Sequence, residues 1–115
     1  AALILFSGVN PAYALPAQTR FREALAKAEM LVSVTTALDE TAQLCNIVLP
    51  LSTSFESWGD GEAAPGVYNL NQPSMQPLYP SQSLGDTLLA VGLKMGLNFG
   101  EVRSFHDYIK AQWQA

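Results

Sequence analysis

The chain has 115 residues, the size of one ordinary domain, and 49% of them are hydrophobic, enough for a core. Only 14% are charged, where about 25% is usual, so part of the surface is expected to be covered by something else. The net charge of -4 with no basic cluster excludes the electrostatic footprint of a nucleic-acid binder. No apolar run approaches the roughly 20 residues of a membrane-spanning helix.

Residues 2–6, Ala-Leu-Ile-Leu-Phe, are apolar on both faces and predict a central strand of a parallel sheet. Because the chain begins almost directly inside a strand, it is expected to be a piece of a longer protein. Residues 18–28 follow with Phe21, Leu25 and Ala28 at helical spacing, and Glu23 and Lys27 form a favourable i,i+4 pair. Residues 30–35, Met-Leu-Val-Ser-Val-Thr, predict a second strand. Thr36 with Asp39, or Asp39 itself, can then cap a short helix running to about Cys45. Residues 46–51 predict a third strand, closed by Pro50. The β-α-β-α-β pattern with short links predicts an α/β class: a Rossmann-like three-layer domain with a short parallel sheet flanked by helices.

Residues 50–80 differ. Five prolines and three glycines fall there, and the segment reads as a long irregular loop, either an active-site loop or a stretch packed on neighbouring domains, with residues 66–72 as one short strand inside it. Order returns with a helix over 83–96. Ser83 is its cap, Leu84, Leu88, Val91 and Met95 share one face, and Gly96 is its stop. Ser104 can cap a last helix. The whole of 1–115 is expected to form a single α/β domain.

In open parallel sheets, ligands bind outside the carboxyl ends of the strands. Three loops leave those ends: residues 7–11, 35–39 and 52–54. All are small and polar. Gly8 permits close backbone approach to a ligand, Asn10 offers an amide donor and an acceptor, and Asp39 can accept from a base or a ribose hydroxyl. A nucleotide-like ligand fits this pattern, and so do ordinary loops and helix caps. Neither a GxGxxG pattern nor a Walker loop is present.

The other chemistry-bearing residues carry less. His106 is the single histidine, on a terminal helix, and Cys45 reads as core. One cysteine excludes an internal disulfide, and this set makes no metal or iron-sulfur site alone. Glu56, Asp60 and Glu62 are close enough in sequence for acid-base work, but a solvated loop anchored by Trp58 is the simpler reading. Glu56 stands out because it follows the third strand most closely.

Several stretches together resemble the molybdopterin oxidoreductase family, the group of dimethyl sulfoxide reductase and formate dehydrogenase. They are "GVNPAY", "VSVTTALDETAQLCNIVLPLSTSFESWGD" and "GVYNLNQPSMQPLY". The resemblance covers about residues 3–80. It implies an α/β domain that helps hold one guanosine arm of molybdopterin guanine dinucleotide. Ser7, Gly8, Asn10, Pro11, Thr35, Thr36, Asp39 and Glu56 are the implied cofactor-side residues, with no catalytic residue and no metal ligand here. Asn46 departs from the family's usual Asp. Gln72-Pro73-Ser74 stands where cofactor-using members often carry Glu-Gly-Arg. In that respect the chain looks more like the large subunits of alternative complex three and of quinone reductase membrane complexes, in which the cofactor is often absent.

The resemblance therefore implies an oxidoreductase parent in a respiratory electron-transfer complex. Iron-sulfur clusters would lie elsewhere in the parent. The partners would be other domains of the parent and other subunits, peripheral to a bacterial membrane on the periplasmic side. It leaves two roles open, a support for the dinucleotide or a cofactor-free structural module, and it implies no turnover by these residues alone.

Overall fold

The apolar run near the start forms β1 (Leu3–Ser7), and the later apolar runs form β2 (Met30–Thr35) and β3 (Ile47–Pro50). In the computed structural model, which describes residues 2–114, these three strands make one parallel sheet in the order β1-β2-β3. Leu3 is in register with Met30 and Ser7 with Val34, and Val32 is in register with Ile47. The chain divides into two compact units, Ala1–Leu51 and Ser52–Ala115. The sheet belongs to the first.

Register partners in a parallel pair point to the same face. Ile4, Phe6 and Leu31 therefore share a face, and Phe21, Leu25, Ala28, Leu44 and Cys45 cover it. The Phe6 and Phe21 rings meet edge to face, 6.3 Å apart. Burying side chains of the size of Phe6 and Leu25 stabilises by about 2 kcal/mol each. The opposite face carries Leu3, Leu5, Met30 and Ile47, all more than two-fifths exposed. The α/β class stands, with one correction. β1 is an edge strand, and β2, with Leu31, Val32, Ser33 and Val34 all buried, is the centre. Hydropathy reports which side chains avoid water. It does not report which strand finds two neighbours.

Two predicted helices are shorter than expected. Between β1 and β2 lie α1 (Pro11–Ala14), a 3-10 turn at Ala17–Thr19 and α2 (Phe21–Leu25). The break falls at Arg20, whose φ of 50° is left-handed, so no continuous helix can pass it. Between β2 and β3 only a 3-10 turn, Ala42–Leu44, forms. Asp39 does cap it, its Oδ1 accepting from the Ala42 amide at 2.7 Å.

The second unit contains a hairpin of β4 (Gly59–Ala64) and β5 (Val67–Asn71), then α3 (Leu84–Lys94) and α4 (Phe105–Gln114). The expected irregular loop thus holds an antiparallel pair. Its turn places Pro65 before Gly66, whose φ is +78°, the arrangement a Pro-Gly turn requires. Ser83 caps α3 as expected, accepting from the Asp86 amide at 3.0 Å. Gly96, with φ +84°, ends that helix, and the Leu97 amide returns to the Gly92 carbonyl at 3.0 Å. The buried face of α3 is not the one with Leu88, Val91 and Met95, which are exposed. It is Leu89 and Gly92, and Gly85 continues that stripe at helical spacing. The Phe105 ring lies over Gly85 and the Phe99 ring over Gly92, so small residues here admit aromatic rings.

Candidate functional site

Two loops leave the carboxyl ends of β1 and β2, and the structure ties them together. Asn10 Nδ2 donates to Glu40 Oε2 at 2.7 Å, and Asn10 Oδ1 accepts from the Thr41 hydroxyl at 2.7 Å. The same Thr41 Oγ1 accepts from the Ala12 amide at 3.0 Å. Thr41 is fully buried. Its position at the start of the 3-10 turn and that of Asn10 at the head of α1 make one polar lock between the two loops. The donation from Asn10 is the main reason that the Glu40 carboxyl sits below its usual range.

The other candidate residues on this edge divide into two sets. The Thr35 hydroxyl donates to the Ala37 carbonyl at 3.0 Å, and Asp39 is occupied by its cap. Pro11 opens α1, where a missing N–H costs nothing. By contrast, no hydrogen bond among the described residues engages the hydroxyls of Ser7 or Thr36. Gly8 has φ +65°, and no heavy atom lies within 4 Å of where a Cβ would stand. The unengaged groups among these candidates are therefore the Gly8 backbone and the Ser7 and Thr36 hydroxyls.

Residues 52–54 and Glu56 belong to the second unit. Glu56 Oε2 accepts from the Thr53 amide at 2.8 Å and its hydroxyl at 2.9 Å, while Oε1 accepts from the Leu78 amide at 3.0 Å. The Leu78 and Thr53 donors hold this carboxyl below the usual range, so it stays ionised and clasps two stretches of irregular chain. Asn71 Nδ2 helps by donating to the carbonyls of Ser54 and Ser57, at 2.7 and 2.9 Å. A cavity of about 390 Å³ opens beside Glu56, with Trp58, Ser81, Asp86 and Arg103 among its walls.

The remaining candidates have structural partners. Burial pushes the Cys45 thiol up, with Asp39 adding to the effect, and its Sγ donates to the Thr41 carbonyl. Such a thiol is a poor nucleophile. His106 stacks flat on Trp58, ring centroids 4.1 Å apart. Asp60 accepts from the Trp113 indole and Glu62 from the Gly66 amide, so the three acids of this stretch do not converge on one reacting point. Among the described residues no three His, Cys, Asp or Glu side chains form a metal-holding group, and no helix is long and apolar enough to cross a membrane.

No family model matches the chain. A curated relative does: the menaquinone reductase, molybdopterin-binding-like subunit of Nitratidesulfovibrio vulgaris (strain Hildenborough) is 42% identical over 110 residues, spanning 90% of this chain. The chain is related to a molybdopterin-type oxidoreductase subunit. It spans only 15% of that relative's length. The relation agrees at that level with the resemblance carried by the "GVNPAY" and "NIVLP" stretches.

Two residues that organise this edge, and one at the opposite end of the sheet, are not marked by any local sequence pattern. Glu40 and Thr41 lie within the short helix expected to run to about Cys45, and they bind Asn10. Asn46, noted as a departure, uses Oδ1 to accept from the Leu31 amide at 2.7 Å, and its own amide donates to the Leu31 carbonyl at 2.9 Å. It brackets β2 just before β3 begins. Contacts 15 to 31 residues apart in sequence leave no periodic signal.

Proposed function

We propose that this chain is an α/β structural module of a molybdopterin-oxidoreductase-type subunit in a menaquinone-linked respiratory complex, with strand-end loops that shape the subunit without holding a cofactor. The relation to a molybdopterin-binding-like subunit supports the redox-complex setting. The lock of Asn10, Glu40 and Thr41 carries the structural reading. Both polar ends of Asn10 are engaged inside the chain, as are Thr35, Asp39 and Glu56, so these side chains do not fit the task of gripping a guanosine arm. Gln72-Pro73-Ser74 in place of a Glu-Gly-Arg element points the same way. In this reading the parent subunit is peripheral to the membrane on the periplasmic side and works with other subunits. These residues by themselves turn nothing over.

A second reading is favoured by one observation. The Gly8 backbone is uncrowded, and the Ser7 and Thr36 hydroxyls are unengaged among the described residues, which leaves this stretch free to meet a dinucleotide. Molybdenum analysis and pterin fluorescence of the purified full-length protein separate the two. The structural reading expects far less than one equivalent of each. One equivalent of pterin guanine dinucleotide per chain overturns it in favour of the second.

A further inference from the structure

The face that the β4–β5 hairpin turns toward α4 carries more chemistry than packing needs. Asp60 is in register with Leu70 and Glu62 with Tyr68, so these four side chains lie on one face. On α4, Tyr108 and Gln112 share a face at a spacing of four, and Trp113 follows next to it. Between them opens a cavity of about 580 Å³ lined by Asp60, Tyr68, Tyr108, Gln112 and Trp113. Three aromatic rings, one carboxylate and one amide make up its wall. No hydrophobic core element fills it: Tyr68, Tyr108 and Trp113 all keep more than two-fifths of their surface exposed.

Contacts within the wall and behind it hold its side chains in place. Trp113 Nε1 donates to Asp60 Oδ2 at 3.2 Å, which orients both the indole and the carboxylate. Among the described residues Asp60 Oδ1 has no partner. The Tyr108 ring stacks on Phe105, centroids 6.0 Å apart and 12° from parallel. Glu62 is fixed by the Gly66 amide at 2.7 Å and adds a second negative charge to the hairpin face. The cation close by, Lys110, is paired with Asp107 at 3.1 Å and lines a separate small hollow with Trp58, Leu70 and His106. Positive charge is thus absent from the five lining residues.

Aromatic faces carry negative electrostatic potential, and a carboxylate beside them completes the set that attracts an organic cation. A neutral aromatic ligand would gain from the rings but leave Asp60 Oδ1 without a partner, which is unfavourable once water is displaced. We propose that this cavity is a binding site for an organic cation: the guanidinium or ammonium end of a protein side chain, or a free quaternary ammonium compound. The site does not depend on the quinone-linked reading, since it rests on residues of the hairpin and α4 alone.

The test uses the full-length protein labelled with fluorotryptophan, the Trp113 resonance being assigned by Trp113→Phe. N-acetylarginine amide and tetramethylammonium chloride are titrated separately. N-acetylcitrulline amide serves as the uncharged twin of the first. The expected result is a saturable shift of the Trp113 resonance with a cation and a response about tenfold weaker with citrulline. Tighter binding of the arginine amide identifies a protein side chain as the source, and tighter binding of tetramethylammonium identifies a free onium compound. Asp60→Asn and Tyr68→Leu each weaken the response, while Tyr68→Phe, which keeps the ring face, retains it and controls for folding. Equal responses to the arginine and citrulline amides, or no shift with either cation, overturn the proposal.

Discussion

The two units hold themselves together by different means. In the first, a central strand with four consecutive buried residues carries the structure, and Phe6, Leu25 and Leu31 close one face of the sheet. In the second, the buried hydrophobic side chains among the described residues are Leu89 and Ile109, and short polar clasps do much of the remaining work. Glu56 joins residues 53 and 78, Asn71 joins 54 and 57, and Asp86 Oδ1 accepts from the Phe105 amide at 2.7 Å, linking the starts of α3 and α4. Apolar burial is tolerant of pH and sensitive to volume. Polar clasps behave in the opposite way. The units should therefore fail under different perturbations.

The sharpest break in that contrast comes from volume. Phe6→Ala removes a ring from the closed face of the sheet and is expected to cost about 3 kcal/mol, read by urea denaturation with β2 amide exchange as the local probe. A value near zero would mean that the sheet face is not the core of this unit. Thr41→Val follows at about 2 kcal/mol. It is isosteric, but it strands Asn10 Oδ1 and the Ala12 amide, each of which relies on that hydroxyl. Thr41→Ser keeps the hydroxyl and should recover most of the loss. If Val and Ser variants are equally stable, the lock contributes nothing.

Within the second unit, Gly85→Ala tests the packing of rings over small residues. Alanine favours a helix by about 1 kcal/mol over glycine. A Cβ at position 85 would nevertheless collide with the Phe105 ring, close to its attachment point, where the ring cannot swing away freely. The net expectation is a destabilisation of about 1–2 kcal/mol. The double variant Gly85→Ala with Phe105→Leu should show non-additivity, because the clash is the mechanism. Asn71→Ala is expected to cost about 1 kcal/mol and to speed amide exchange across residues 53–57.

How much of this was legible depends on distance along the chain. The strands at 3–7, 30–35 and 47–50 follow from local hydropathy, and the caps at Ser83 and Asp39 follow from local side-chain chemistry. The hairpin was half visible, since Val67–Asn71 reads as a strand but Gly59–Ala64 has no apolar alternation. The Pro65-Gly66 pair was the available signal for its turn. The left-handed Arg20 could not be foreseen from helical spacing of Phe21, Leu25 and Ala28, because a single φ interrupts a pattern without altering it. The lock at the strand ends was invisible for another reason. Asn10 looks equally well suited to a ligand or to Thr41, and only the fold brings Thr41 within 2.7 Å of it.

The smallest expected effect concerns pH, and it separates the apolar centre of the sheet from the polar clasps most directly. Asp107 begins α4, where Ser104 and Lys110 lower its pKa from 3.8 to about 2. Its Oδ2 accepts from the Ser104 amide and hydroxyl, at 3.2 and 2.8 Å. A carboxyl with a depressed folded-state pKa stabilises fully above its unfolded value and loses that contribution as pH falls through the folded one. For Asp107 the window runs from about 4 down to about 2. Glu56 is shifted in the same direction, so the clasp on residues 53 and 78 weakens on acidification as well. Because these groups are exposed, the effect on overall stability is modest and screened by salt. Amide exchange measured from pH 5 to pH 2.5, corrected for intrinsic rates, should show protection falling first at the start of α4 and around residues 53–57. In the first unit, β2 should change little over the same range, because Leu31, Val32 and Val34 have nothing to titrate. Asp107→Asn should flatten the response at α4 and leave the one at Glu56 intact. A parallel loss of protection in β2 would show that apolar burial and polar clasps are not the separate supports that the hydrogen bonds and burial imply.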